Sequence, residues 1–166
     1  LQSKEDIAML SLNAKQCQSD SPLEKLKYLY LKGPNSLDTS SRLSRSCLMP
    51  WKCFPFVEEL TINGYNNLVR WPTEELRCLD QLRVLRIRFC ENLEGHTSSS
   101  KETLPLSLEE VLIEHCGSMV ALPSNIGKLA KMRSLVVSYC SRLKVLPDGM
   151  CGLTSLRELM MIDSPG

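Results

Sequence analysis

The sequence has no excess of either charge: twenty basic side chains face nineteen acidic ones among 166 residues, for a formal charge of +1 and a pI near 7.7. That balance gives no electrostatic basis for binding nucleic acid or an anionic membrane. Long apolar runs are missing as well. Mean hydropathy is −0.12, and no stretch approaches the roughly 18 apolar residues of a membrane span. The chain opens at Leu1 with neither the basic nor the apolar segment of a secretory signal, and reads as a piece of a longer protein. The length suits one domain with a substantial core.

Catalytic and cofactor motifs are equally scarce. Gly127-Lys128 has neither the upstream glycine nor the following hydroxyl of a phosphate-binding loop. His96 and His115 are the only imidazoles. Cys116 adjoins His115, but neighbours on a strand point to opposite faces, so the pair reads as a structural thiol beside a surface histidine. Cys47 and Cys53 flank Trp51 with no second pair to complete a zinc site. No nucleophile elbow occurs. The expectation is a protein that is not an enzyme, with no cofactor and no metal.

Cysteine, by contrast, is plentiful, with eight at positions 17, 47, 53, 78, 90, 116, 140 and 151. Three of them recur at one position of an internal repeat, which favours a structural role over disulfides. With no Asn-x-Ser/Thr sequon in the sequence, this leans toward a reducing, intracellular compartment.

The repeat follows the pattern L-x-x-L-x-L-x-x-C-x-x-L. Leu82, Leu85, Ile87, Cys90 and Leu93 fit it, as do Leu108, Val111, Ile113, Cys116 and Met119, and Met132, Leu135, Val137, Cys140 and Leu143. Val57, Leu60, Ile62, Tyr65 and Leu68 form a copy with Tyr in place of Cys. Leu26, Leu29, Leu31, Pro34 and Leu37 form an earlier one, and Leu156, Leu159 and Met161 a last one reaching Ser164. A fainter copy at Ile7, Leu10 and Leu12 precedes them. Starts at 57, 82, 108, 132 and 156 hold a 24–26-residue period, the mark of a solenoid. Each L-x-L core alternates apolar and polar, predicting a short strand with one buried face. The Cys position follows it, where the chain turns away. A small thiol there tolerates burial and can bond the turn backbone, forming a ladder from unit to unit.

The return segments have a rule of their own. Leu122-Pro123 is followed by Ile126, Leu129 and Met132, and Leu146-Pro147 by Met150, Leu153 and Leu156. This three-residue period predicts 3₁₀-like convex segments started by proline. Trp71-Pro72 reaches Leu76, Leu79 and Leu82 with one residue more. Ser-rich stretches near 38–56 and 94–107 break the register and predict enlarged convex loops, either spacers or binding elements. The whole reads as one domain, 1–166, of about six to seven repeats.

The stretch Leu122-Pro123-Ser124-Asn125-Ile126-Gly127-Lys128-Leu129, and its echo Leu146-Pro147-Asp148-Gly149-Met150-Cys151-Gly152-Leu153, resemble the C-terminal leucine-rich repeats of plant intracellular immune receptors of the nucleotide-binding leucine-rich-repeat class. The resemblance covers roughly residues 23–164, more strongly after Val57. It departs from the pattern at Tyr65 and Pro34. It implies an α/β solenoid, a leucine-rich-repeat horseshoe with short parallel strands on the concave face and irregular or 3₁₀ convex segments. It further implies a protein-recognition and autoinhibitory region that binds a pathogen effector or a guarded host protein. The nucleotide-binding domain of the same receptor would lie upstream, and the location would be cytoplasmic, with the nucleus open as a second.

If the strand leucines point inward, the residues between them face outward in rows. One row reads Lys27, Glu58, Arg83, Glu109, Arg133, Arg157. Its alternating charges suit a surface ion-pair row, with a charged footprint for a partner as the other reading. The central row reads Tyr30, Thr61, Arg86, Leu112, Val136, Met160, and two further rows bring Arg88, Phe89, His115 and Tyr139 to its edge. Aromatics, Met and Arg are what interface cores use. Arg86, Arg88, Phe89, Leu112, His115, Val136, Tyr139 and Met160 are therefore the candidate partner-binding residues. Cover by a missing cap or another domain is the other reading of the apolar stripe. An alternative function, substrate recognition for an F-box ubiquitin ligase, is disfavoured by the recurrent Leu-Pro and by the lack of an F-box in the chain. A secreted or membrane receptor ectodomain would show Asn ladders, a Gly-x-Ile-Pro motif and sequons, none of which occurs here.

Overall fold

Each L-x-L core forms one five-residue strand, and the six strands lie side by side in chain order. The computed structural model describes residues 25–33, 54–95 and 103–164. The strands are β1 (Tyr28–Lys32), β2 (Glu59–Asn63), β3 (Val84–Arg88), β4 (Glu110–Glu114), β5 (Ser134–Ser138) and β6 (Glu158–Ile162). All neighbours are parallel, in the order β1-β2-β3-β4-β5-β6. The fold is thus an α/β solenoid of the leucine-rich-repeat kind, with very little helix.

The register matches the repeat alignment. Leu60 pairs with Leu85, Leu85 with Val111, and Val111 with Leu135. These residues, with Ile62, Ile87, Ile113 and Val137, are buried on one side of the sheet. The opening residues of the units, Val57, Leu82, Leu108 and Met132, complete the same core from the turn before each strand. In β6, Leu159 occupies an equivalent position yet is 47% exposed, because no described segment flanks that strand on its far side.

The convex segments vary with local sequence. Ile126–Lys128 and Met150–Gly152 form single 3₁₀ turns, closed by Leu129 N–H to Ile126 O (3.1 Å) and Leu153 N–H to Met150 O (3.1 Å). The segment with one extra residue forms one α-turn instead, α1 (Thr73–Leu76), with Leu76 N–H donating to Pro72 O and Arg77 N–H to Thr73 O. The added residue changes the closure from i→i−3 to i→i−4. The two 3₁₀ turns pack backbone to backbone: a Cβ on Gly127 would lie 2.3 Å from Gly149 O.

The cysteine ladder lies where the strands end. Cys90, Cys116 and Cys140 are buried, and the carbonyl of each accepts from the amide three residues on. Their thiols donate to the carbonyls of Arg88 (3.5 Å), Glu114 (3.5 Å) and Ser138 (3.4 Å), two residues back. The backbone of the preceding ladder residue faces each sulfur: Tyr65 for Cys90, Cys90 for Cys116, Cys116 for Cys140. Donation to the last carbonyl of the strand is the refinement over the expected bond to the turn. The sheet is therefore tied to its turns by thiols. Cys78 and Cys151 are also free thiols. Pro34, Leu37, the faint first copy, most of both expected loops, His96, and the cysteines at 17, 47 and 53 lie outside the described residues.

Candidate protein-binding face

Because side chains alternate along a strand, every position between the buried leucines presents a row across all six strands. The row just before the strands is a chain of ion pairs. Lys27 Nζ bonds Glu58 (2.7 Å), and Arg83 reaches Glu58 at 4.0 Å and Glu109 at 2.9 Å. Arg133 then reaches Glu109 at 3.4 Å. The bond from Arg83 holds the Glu109 carboxyl below the usual carboxylate range, with Arg133 and Lys131 adding to it. The cations of the row are more than half exposed, so each pair adds little stability.

The central row is aligned as the repeat implies: Arg86 opposite Leu112, Leu112 opposite Val136, Val136 opposite Met160. Leu112 and Val136 are half-buried and Met160 is 40% exposed. Three apolar side chains on adjacent strands, about 4.8 Å apart, make one stripe toward solvent. Arg86 and Arg88, on β3, are not free cations. Arg86 bonds Glu59 at 2.7 Å, and Arg88 bonds Glu114.

The row after the strands holds the most ordered feature of the face. Phe89, His115 and Tyr139 stack ring on ring, with centroids 4.6 and 4.5 Å apart and planes within 7°. All three have positive φ, at 54, 53 and 55°, and Asp163 continues the row at 48°. That left-handed conformation disfavours any side chain with a Cβ. Register enforces it: Phe89 N–H donates to Glu114 O, His115 N–H to Ser138 O, and Tyr139 N–H to Ile162 O, each on the next strand. At the same place in β2 the row has Gly64, φ 71°, with nothing within 4 Å of where its Cβ would be. Glycine fills the position after β2, aromatics fill it after β3, β4 and β5, and Asp163 fills it after β6. Phe89 and Tyr139 remain 43% and 48% exposed.

The structure places all eight candidate residues on this face, six of them in the stripe and the aromatic stack and two in ion pairs. Sequence reasoning missed a fifth row, Tyr28, Glu59, Val84, Glu110, Ser134, Glu158. Two residues separate the first buried position of a unit from the second, and only the first of them was stacked. Reading both would have found Glu59, the partner of Arg86, and the Ser134–Glu158 bond (2.6 Å). Among the described residues no group of His, Cys, Asp and Glu could hold a metal ion, and no helix is long and apolar enough to cross a membrane.

No protein-family model matches the chain. It is similar to Disease resistance protein RPP5 of Arabidopsis thaliana, 32% identical over 106 residues, covering 60% of the chain and 7% of that protein. It is also similar to TMV resistance protein N of Nicotiana glutinosa, 30% identical over 127 residues, 63% of the chain and 11% of that protein. A third relative is the protein SUPPRESSOR OF npr1-1, CONSTITUTIVE 1 of Arabidopsis thaliana, 34% identical over 114 residues, 66% of the chain and 7% of that protein. The chain spans between 7% and 11% of the length of these relatives.

Proposed function

Because the chain is a leucine-rich-repeat region related to those of plant disease-resistance receptors, we propose that it is a non-catalytic protein-recognition module. In this reading it is the ligand-sensing and autoinhibitory part of an intracellular receptor. The concave face of β4–β6 recognises a pathogen effector or a guarded host protein. In the resting state the same repeats rest against the nucleotide-binding domain upstream and hold it inactive. A cytoplasmic location follows from that role.

The observation that carries the reading is the apolar stripe Leu112–Val136–Met160 beside the stacked rings of Phe89, His115 and Tyr139. A solvated sheet face can be built from polar residues at no cost to the core. Here three outward positions in succession are apolar, and bulky residues occupy a strained backbone position. Strain of this kind, of order 1–3 kcal/mol per residue, concentrates where function requires it. Apolar patches rimmed by polar side chains mark interaction sites.

The test is Val136→Glu in the full receptor. Its side chain faces away from the core, so the repeats should unfold at an unchanged temperature. Recognition, read as immune output or as binding of the cognate protein, should weaken by more than about 1 kcal/mol. Unchanged recognition by a stably folded variant would remove the stripe from the proposal.

A further inference from the structure

We propose that the partner presents an arginine to this face, with its guanidinium stacked on the outer side of Tyr139 and paired with Asp163. The proposal rests on the recognition reading above and names the chemistry recognised there. The aromatic stack advances about 4.5 Å per strand and stops at Tyr139, one step short of β6. At that next step the row holds Asp163, whose φ of 48° matches those of the rings. Its carboxylate therefore leaves the backbone at the level where a further ring would stand. Among the described residues no side chain bonds it. Among the same residues Tyr139 has a ring on one side only, His115 at 4.5 Å.

At the Phe89 end of the stack the fold already groups a ring, a cation and a carboxylate. There the Arg88 guanidinium lies over the Phe89 ring, 5.9 Å from its centroid, and bonds the Glu114 carboxylate. Aromatic ring, cation and carboxylate are all supplied by the chain. Beyond Tyr139 the ring and the carboxylate recur without the cation. A planar guanidinium fits the spacing of a ring stack and carries the charge complementary to the Asp163 carboxylate. Val136 and Met160, outward on the same two strands, would take an apolar side chain next to that arginine. The partner is thus a protein segment with an apolar residue close to an arginine.

The test uses the 166-residue chain and two synthetic probes, N-acetyl-leucyl-arginine amide and its uncharged citrulline isostere. Each is titrated while NMR follows the Tyr139 ring and the Met160 methyl, with melting curves recorded for every variant. The arginine probe should shift both signals, and the citrulline probe should bind roughly two- to fivefold more weakly. Asp163→Asn and Tyr139→Leu should each weaken the arginine probe by a similar factor with the melting temperature kept. Equal affinity for both probes, or an Asp163→Asn variant that binds arginine as well as the parent chain, would overturn the assignment. Comparison with Val136→Glu separates the two levels. Lost recognition in the receptor together with equal probe affinities keeps the binding face and refutes the arginine. Probe discrimination together with intact recognition establishes the arginine slot and refutes the recognition reading.

Discussion

The cysteine that follows each of β3, β4 and β5 and the aromatic residue just before it do opposite work in this solenoid. The thiols of Cys90, Cys116 and Cys140 face inward and close the strand ends. Burial pushes the Cys90 thiol up to about 11. The Cys116 thiol is also pushed up, first by its hydrogen bond with Cys140 and then by burial. In the native chain Cys90 and Cys116 should resist alkylation at pH 8, whereas exposed Cys151 should react; rapid labelling of Cys90 without unfolding would contradict the burial. The sign of the pH effect follows. An unfolded thiol ionises near its ordinary value of 9.0, while folded Cys90 keeps its proton to about 11. Its contribution is undiminished below pH 9 and declines as pH rises through that window. Urea unfolding from pH 8 to 11 should show the decline, and it should be smaller in Cys90→Ala. At the same level, Cys116→Asn should be tolerated, since an amide can still bond the backbone around it. Cys116→Leu should cost roughly 1–3 kcal/mol by leaving that backbone unpaired, and equal melting temperatures for the two would refute the ladder. The thiol positions were legible because they repeat. The ring stack was legible only as a row: its parallel planes depend on a left-handed backbone at Phe89, His115 and Tyr139, and nothing in those residue types announces that conformation.

Among the elements, the strands were fully readable and the convex segments less so. Period-two alternation sets each strand, and the three-residue period after Leu-Pro sets the 3₁₀ turns. What one sequence does not display is how these turns connect to their neighbours. Asn125 is buried, at 5% exposure, and its amide clamps the backbone of Leu104 in the previous unit. Its Oδ1 accepts from Leu104 N–H at 2.9 Å, and its Nδ2 donates to Leu104 O at 3.0 Å. The next unit has Gly149 in its place, at φ 84°, so no repeat pattern flagged the asparagine. Asn125→Leu should cost about 1–3 kcal/mol, because it strands a buried donor and a buried acceptor. A chemical-denaturation midpoint within error of the parent chain would show that the clamp adds nothing.

As a whole molecule, the solenoid is stabilised unit by unit, since each strand touches only the strands beside it. A deletion in the middle of the stack and one in β6 should therefore differ. Ile113→Ala, at a fully buried position, should cost about 2–5 kcal/mol. Leu159→Ala, at 47% exposure, should cost less than about half of that; the reverse order would mean that β6 carries more of the core than its exposure indicates. The face itself belongs to this scale, because no single unit contains it. Its ingredients come from β3 to β6, and only the shared register brings Phe89, His115, Tyr139, Leu112, Val136 and Met160 together. The most direct measurement on the proposed binding face is Tyr139→Gly, with unfolding of the chain and recognition by the full receptor measured side by side. Glycine relieves the left-handed strain and loses one stacked pair, about 1 kcal/mol each and opposite in sign. The melting temperature should therefore stay within about 4 °C while recognition is lost. A large fall in melting temperature with recognition intact would instead make the aromatic stack part of the scaffold, and the partner would have to bind elsewhere.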